Sequence, residues 1–103
     1  MMRKDLNISF LLDIYGRFLS EKQRELTEYY YNDDLSLSEI AENEGITRQG
    51  VCDNIKRAQA RLYSWEEECK YGEQFLRLKQ LSAALQAGDQ SVVAEIADII
   101  DSL

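Results

Sequence analysis

The chain contains no proline, no histidine and only 5 glycines among its 103 residues. It also lacks any apolar run approaching the roughly 20 residues that span a bilayer. Each absence excludes something. Without proline, no helix meets a built-in break, and with so little glycine the chain has neither a collagen-like nor a linker-like composition. Without histidine there can be no imidazole general base, no serine–histidine triad and no histidine-ligated metal. Cysteine is almost as scarce. Cys52 and Cys69 stand seventeen positions apart, a spacing that suits neither a zinc-binding CxxC pair nor a disulfide framework, so both are expected as free thiols. No catalytic residue, metal ligand or cofactor is therefore expected. With no apolar h-region at its start, the chain is expected to be soluble and cytoplasmic, without membrane insertion.

What is present favours a compact all-α protein: 45% of the residues are hydrophobic and 30% charged. The length fits one domain, or a small domain with an extension, and excludes a large multidomain enzyme. Acidic residues outnumber basic ones by 19 to 12, giving a net charge of −7, which argues against non-specific coating of nucleic acid or anionic membrane. The imbalance is uneven along the chain. Residues 1–47 carry −5 and residues 62–103 carry −5, whereas residues 48–61, with Arg48, Lys56, Arg57 and Arg61 against Asp53 alone, carry +3. Any nucleic-acid contact must be confined to this narrow central stripe.

Apolar positions recurring three and four apart predict about five helices. The first runs over Leu6 to Leu19. Ser20, in an S-x-x-Q capping box, opens a second from Glu21 to about Tyr31, and Asn32-Asp33-Asp34 ends it. Ser36-Leu37-Ser38-Glu39 is another capping box and opens a short helix from Leu37 to about Glu44, with Ile40 and Ala41 inward. Gly45 suits the left-handed residue that stops a helix. Ile46 is expected to drop into the core before Thr47 caps a helix starting at Arg48. There Val51, Ile55, Ala58 and Leu62 form a buried stripe, and the helix continues through Trp65 toward Cys69. Beyond it, Gly72 is expected to mark a break, Gly88 to end a stripe of Phe75, Leu78, Leu81 and Leu85, and Ser91 to cap a last helix. That helix shows Val92, Ile96, Ile99 and Leu103, widened by Val93 and Ile100. Its apolar face must be covered, by the first helix or by another copy of the chain. The expected division is a helical domain over residues 1–62 and a helical extension over residues 63–103.

The middle of the chain carries the chemistry. A helix, a glycine turn and a second helix with basic and amide side chains near its start make the layout of a DNA-reading helix-turn-helix. Arginine offers a fork of donors to guanine or phosphate, and asparagine or glutamine can pair with adenine, so Arg48, Gln49, Asn54 and Arg57 are apt base readers. Lys56 and Arg61 suit phosphate contacts. Elsewhere the readings are plainer. Tyr29, Tyr30 and Tyr31 diverge by about 100° each and cannot form one stacking platform. Trp65 reads as a packing residue. Glu66, Glu67 and Glu68 point apart and lack a nucleophile or metal partner.

The segment LSLSEIAENEGITRQGVCDNIKRAQARL resembles the fourth conserved region of bacterial sigma factors. Within it ITRQGVCDNIKR, with the preceding EYYYNDDLSLSEIAE and the acidic helical tail, is similar to the YlxM family of small bacterial helix-turn-helix proteins, over nearly the whole chain. The resemblance implies a recognition helix opening with Thr47, Arg48 and Gln49 and continuing through Asp53, Asn54, Lys56 and Arg57. It also implies a role in, or regulation of, the signal recognition particle pathway of protein targeting, since members are encoded beside its components. Asp53 departs from the sigma-like pattern, where a neutral or basic side chain is usual, because a carboxylate repels phosphate; it could instead accept from a cytosine amino group. Gly50, inside the helix, is a second departure. Two functions follow as expectations. One is a DNA-binding regulator acting as a homodimer; the other is a protein or ribonucleoprotein interaction module of the targeting machinery, whose acidic surface meets a basic partner.

Overall fold

The computed structural model describes residues 6–103, which are helical with short connections. They divide into two compact units, one ending at Glu68 and the other spanning Cys69–Leu103. The fold is all-α, as the composition predicts.

In the first unit, α1 (Leu6–Tyr15) gives way to a 3-10 turn over Gly16–Phe18. The expected single helix to Leu19 is therefore four residues shorter as an α-helix. Gly16 weakens the α-helical ladder there, and the tighter turn brings Leu19 back so that its N–H bonds to the Gly16 carbonyl at 3.1 Å. α2 (Glu21–Tyr31) begins where the capping box places it, with Ser20 Oγ accepting from the Gln23 N–H at 3.2 Å. α3 (Leu37–Glu44) has the complete reciprocal box: Glu39 N–H donates to Ser36 Oγ, and Ser36 N–H donates to Glu39 Oε1. Two orphan donors are satisfied at one helix end, a feature whose cap residue is worth about 1 kcal/mol.

α4 (Arg48–Cys69) is the longest element and organises the unit. Its buried stripe serves two clusters in succession. Val51 and Ile55 pack with Leu26, Tyr30, Ile40 and Ala41 of α2 and α3, whereas Ala58 and Leu62 pack with Ile8, Leu11, Leu12, Tyr15 and Leu19. Tyr31 packs against both clusters and accepts a hydrogen bond from Gln59 on α4. Ile55 and Leu62 are 0% exposed, so each contributes about 1.5–3 kcal/mol of burial. Thr27 is the one buried polar side chain of this core among the described residues, and its hydroxyl donates to the Gln23 carbonyl at 2.6 Å. Tyr30 is buried, Tyr29 and Tyr31 pack against the same cluster, and Trp65 takes the packing role expected of it. Trp65 meets Tyr15 and Phe18 with ring centres 6.3 and 6.0 Å apart.

The second unit pairs α5 (Tyr71–Gln86) with α6 (Val93–Asp101), after a 3-10 turn over Gln90–Val92. Three expectations are corrected here. The break falls at Lys70, which adopts the left-handed conformation at φ 58°, rather than at Gly72, which lies in the first turn of α5. Among the described residues there are six α-helices where about five were expected. The last connection is capped by Asp89, not Ser91. Asp89 Oδ1 accepts from both the Ser91 N–H and its hydroxyl, because a carboxylate two residues ahead reaches the free N–H of a 3-10 start. Finally, Leu103 lies beyond α6 and is 61% exposed, so the apolar stripe stops at Ile99. Arg77 on α5 fastens the pair, donating to both oxygens of Glu95 on α6 at 2.6 and 3.0 Å.

Candidate nucleic-acid interface

The site begins with the turn between α3 and α4. Gly45 closes α3 at φ 68°, a left-handed conformation that disfavours any side chain, and its N–H and that of Ile46 both return to the Ala41 carbonyl. This geometry sets Ile46 beside the end of α3 rather than beneath it. Ile46 stays 37% exposed and does not enter the core, contrary to expectation. Thr47 then caps α4, its hydroxyl accepting from the Gly50 N–H at 2.9 Å. A β-carbon added at Gly50 would stand 3.1 Å from that same hydroxyl, so the glycine leaves the cap uncrowded. The small Ala41, with Ile40, lets α3 lie close against Val51 and Ile55.

The turn fixes which side of α4 faces outward. Arg48, Gln49, Lys56 and Arg57 are exposed, Asp53 is half-buried, and Gln49 Nε2 donates to Asp53 Oδ1 at 2.8 Å. These five form the open face. The other three expected site residues have partners within the unit. Thr47 is the cap. Asn54 turns its amide back along the helix, Nδ2 donating to the Gly50 carbonyl at 2.8 Å. Arg61 reaches Gln23 Oε1 on α2 at 3.1 Å and stacks over Trp65, 4.9 Å from the ring centre.

An open pocket of about 510 Å³ adjoins the exposed face. Arg48, Gln49, Cys52 and Lys56 line it from α4, and Ser36, Leu37, Ser38 and Glu39 from the start of α3; Tyr30 and Asp34 complete it. Ser38 and Cys52 thus belong to the site without having been singled out for it. The sequence marks the start of α3 by its capping box but not its position beside Arg48, which the Gly45 turn creates. Cys52 is a half-buried free thiol and Cys69 an exposed one.

Among the described residues there is no cluster of three or more acidic or cysteine side chains able to hold a metal ion, and no helix long and apolar enough to cross a membrane. What the arrangement offers is a fork of donors at Arg48 and Arg57, a point charge at Lys56 and hydroxyls at Ser36 and Ser38.

Comparison with known proteins places this geometry in a family. Residues 2–101 match the model of UPF0122, described as "Putative helix-turn-helix protein, YlxM / p13 like". A UPF0122 protein of Shouchella clausii is 43% identical over 97 residues, covering 91% of this chain and 89% of the relative. One from Fusobacterium nucleatum is 50% identical over 66 residues, 64% of each chain. Another, from Halalkalibacterium halodurans, is 39% identical over 107 residues, covering all of this chain and 96% of its own. The capped turn, the recognition-type helix behind it and a match spanning nearly the full length together make the chain a member of the UPF0122 family of YlxM-like helix-turn-helix proteins.

Proposed function

We propose that the protein is a cytoplasmic DNA-binding regulatory protein that lays the start of α4 in a major groove. The observation that carries this reading is the open face itself: Arg48, Lys56 and Arg57 stand exposed at the head of a helix that a left-handed glycine turn projects from the unit. Arg48 and Arg57 supply donors to guanine or phosphate. Lys56, which lines the pocket together with Ser36 and Ser38, meets the phosphate backbone. The acidic remainder of the chain, −5 on each side of this stripe, keeps non-specific affinity low and calls for two recognition helices acting together.

A homodimer supplies the second helix. The unit Cys69–Leu103 falls short of the size at which a chain forms a self-sufficient core, about 40 residues without other support, and it leaves Leu76, Val93 and Ile100 about half exposed. A second copy covering this face is the occupant we propose. Sedimentation equilibrium of the wild type and of a Val93→Glu/Ile100→Glu variant tests it. A wild-type dimer that becomes a folded monomer supports the reading, and a wild-type monomer at all concentrations sinks it.

The family resemblance supports a place in, or control over, the signal recognition particle pathway. The acidic charge favours a second reading, docking on a basic protein or ribonucleoprotein of that machinery. Fluorescence anisotropy with a pool of short genomic duplexes, followed by titration with reconstituted signal recognition particle, separates the two. Saturable, salt-sensitive binding to duplexes supports the first, and binding to the particle alone, weakened by neutralising Glu67 and Glu68, supports the second.

A further inference from the structure

Asp53 is the one acid on the open face of α4, and a carboxylate there opposes phosphate. Its place on the helix gives it a different task. Successive α-helical residues rotate by about 100°, so Gln49 and Asp53, four apart, share one line, and that line lies opposite the buried stripe of Val51, Ile55 and Leu62. Side chains opposite the stripe reach furthest from the body of the unit. In a groove they meet the base edges, while cations to either side of the line meet the backbones.

Gln49 Nε2 donates to Asp53 Oδ1 at 2.8 Å. An ionised carboxylate can only accept, so the amide is obliged to turn its NH₂ toward Asp53 and leave its carbonyl oxygen free. A lone glutamine can present either end of its amide to a base; this one cannot without giving up a charge-assisted bond. The pair therefore presents an acceptor oxygen from each residue, with one N–H of Gln49 beside them.

Resting on the reading that α4 enters a DNA groove, we infer that Gln49 and Asp53 together select bases carrying an exocyclic amino group, Asp53 accepting from cytosine N4 and Gln49 pairing with adenine. Only cytosine and adenine offer a donor in the major groove; guanine shows two acceptors and thymine an acceptor and a methyl. Guanine O6 against Asp53 would set acceptor against acceptor and strip water from a carboxylate that gains no partner. The acid thus trades affinity for discrimination, and the flanking cations restore the affinity.

Selection from a random duplex pool, run in parallel with the wild type and the near-isosteric Asp53→Asn variant, tests this. The wild-type site is expected to contain a cytosine whose replacement weakens binding roughly 5- to 150-fold. Asp53→Asn, whose amide can also donate, is expected to lose that preference while binding unrelated duplex more tightly, a negative charge having gone. An unchanged preference in Asp53→Asn overturns the inference and leaves DNA binding standing. A wild type that neither enriches nor binds any duplex at low salt removes the DNA reading itself, and this inference with it.

Discussion

The guanidinium of Arg61 lies 4.9 Å above the centre of the Trp65 ring and donates to Gln23 Oε1 at 3.1 Å, joining α4 to the start of α2. Arg61, beyond the middle of the long helix, therefore has a packing partner and a hydrogen-bond partner within its own unit. Arg61→Ala is expected to cost about 0.5–1 kcal/mol of stability, the worth of an exposed cation–π contact, and to change duplex affinity less than Arg48→Ala does. Urea denaturation alongside anisotropy reads both. A variant as stable as the wild type but defective in binding would restore Arg61 to the phosphate contacts.

Gly45 makes a second case. A β-carbon there meets nothing within 4 Å, so space is not what requires glycine; the backbone at φ 68° is. Gly45→Ala is expected to lose about 1–2 kcal/mol, the left-handed penalty of a residue with a side chain. Gly45→Asn should lose less, since asparagine tolerates this region. Equal losses for the two variants in thermal denaturation would mean that something other than the left-handed turn is at stake.

The clasp between α5 and α6 should respond to acid. The hydrogen bonds and charge of Arg77 hold the Glu95 carboxyl below its ordinary value, and Glu95 in turn raises Arg77. A depressed carboxyl stabilises the folded form above its unfolded value, and the contribution is lost as pH falls through the lower, folded one. Amide protection of α6 is thus expected to drop below the ordinary glutamate range in the wild type. In Glu95→Gln that part of the pH dependence should disappear. Lys22, raised by the hydrogen bond and charge of Glu44, behaves oppositely: its contribution is complete below the ordinary lysine value and fades as pH rises past it.

The local chemistry of helix ends made much of this fold legible. Ser20, Ser36, Gly45 and Thr47 act within three or four residues of themselves, so their caps and turns can be read directly and they fix the start of α2, both ends of α3 and the start of α4. Lys70 carries no such signal; a left-handed lysine looks like any other helical lysine in sequence, and Gly72 drew the expected break two residues late. Ser91 likewise looked like the cap because serine at a helix start is common, while Asp89 sits closer to the free N–H groups. At the candidate site, the stretch and its charge were legible. The division of labour was not, because whether Asn54 and Arg61 face outward depends on the Gly50 carbonyl and on Gln23, one a rotamer and the other a residue 38 positions away.

The central claim is that the exposed cations of α4 bind the DNA backbone and bases. The most direct measurement is the salt dependence of duplex affinity for the wild type and for Arg48→Ala/Arg57→Ala, both side chains being exposed and outside the core. Each lost phosphate contact should flatten the slope of log affinity against log salt by about 0.9, so the double variant is expected to show a slope shallower by nearly two, with binding weakened at every salt concentration. Matching slopes and matching affinities in the two proteins would contradict the account.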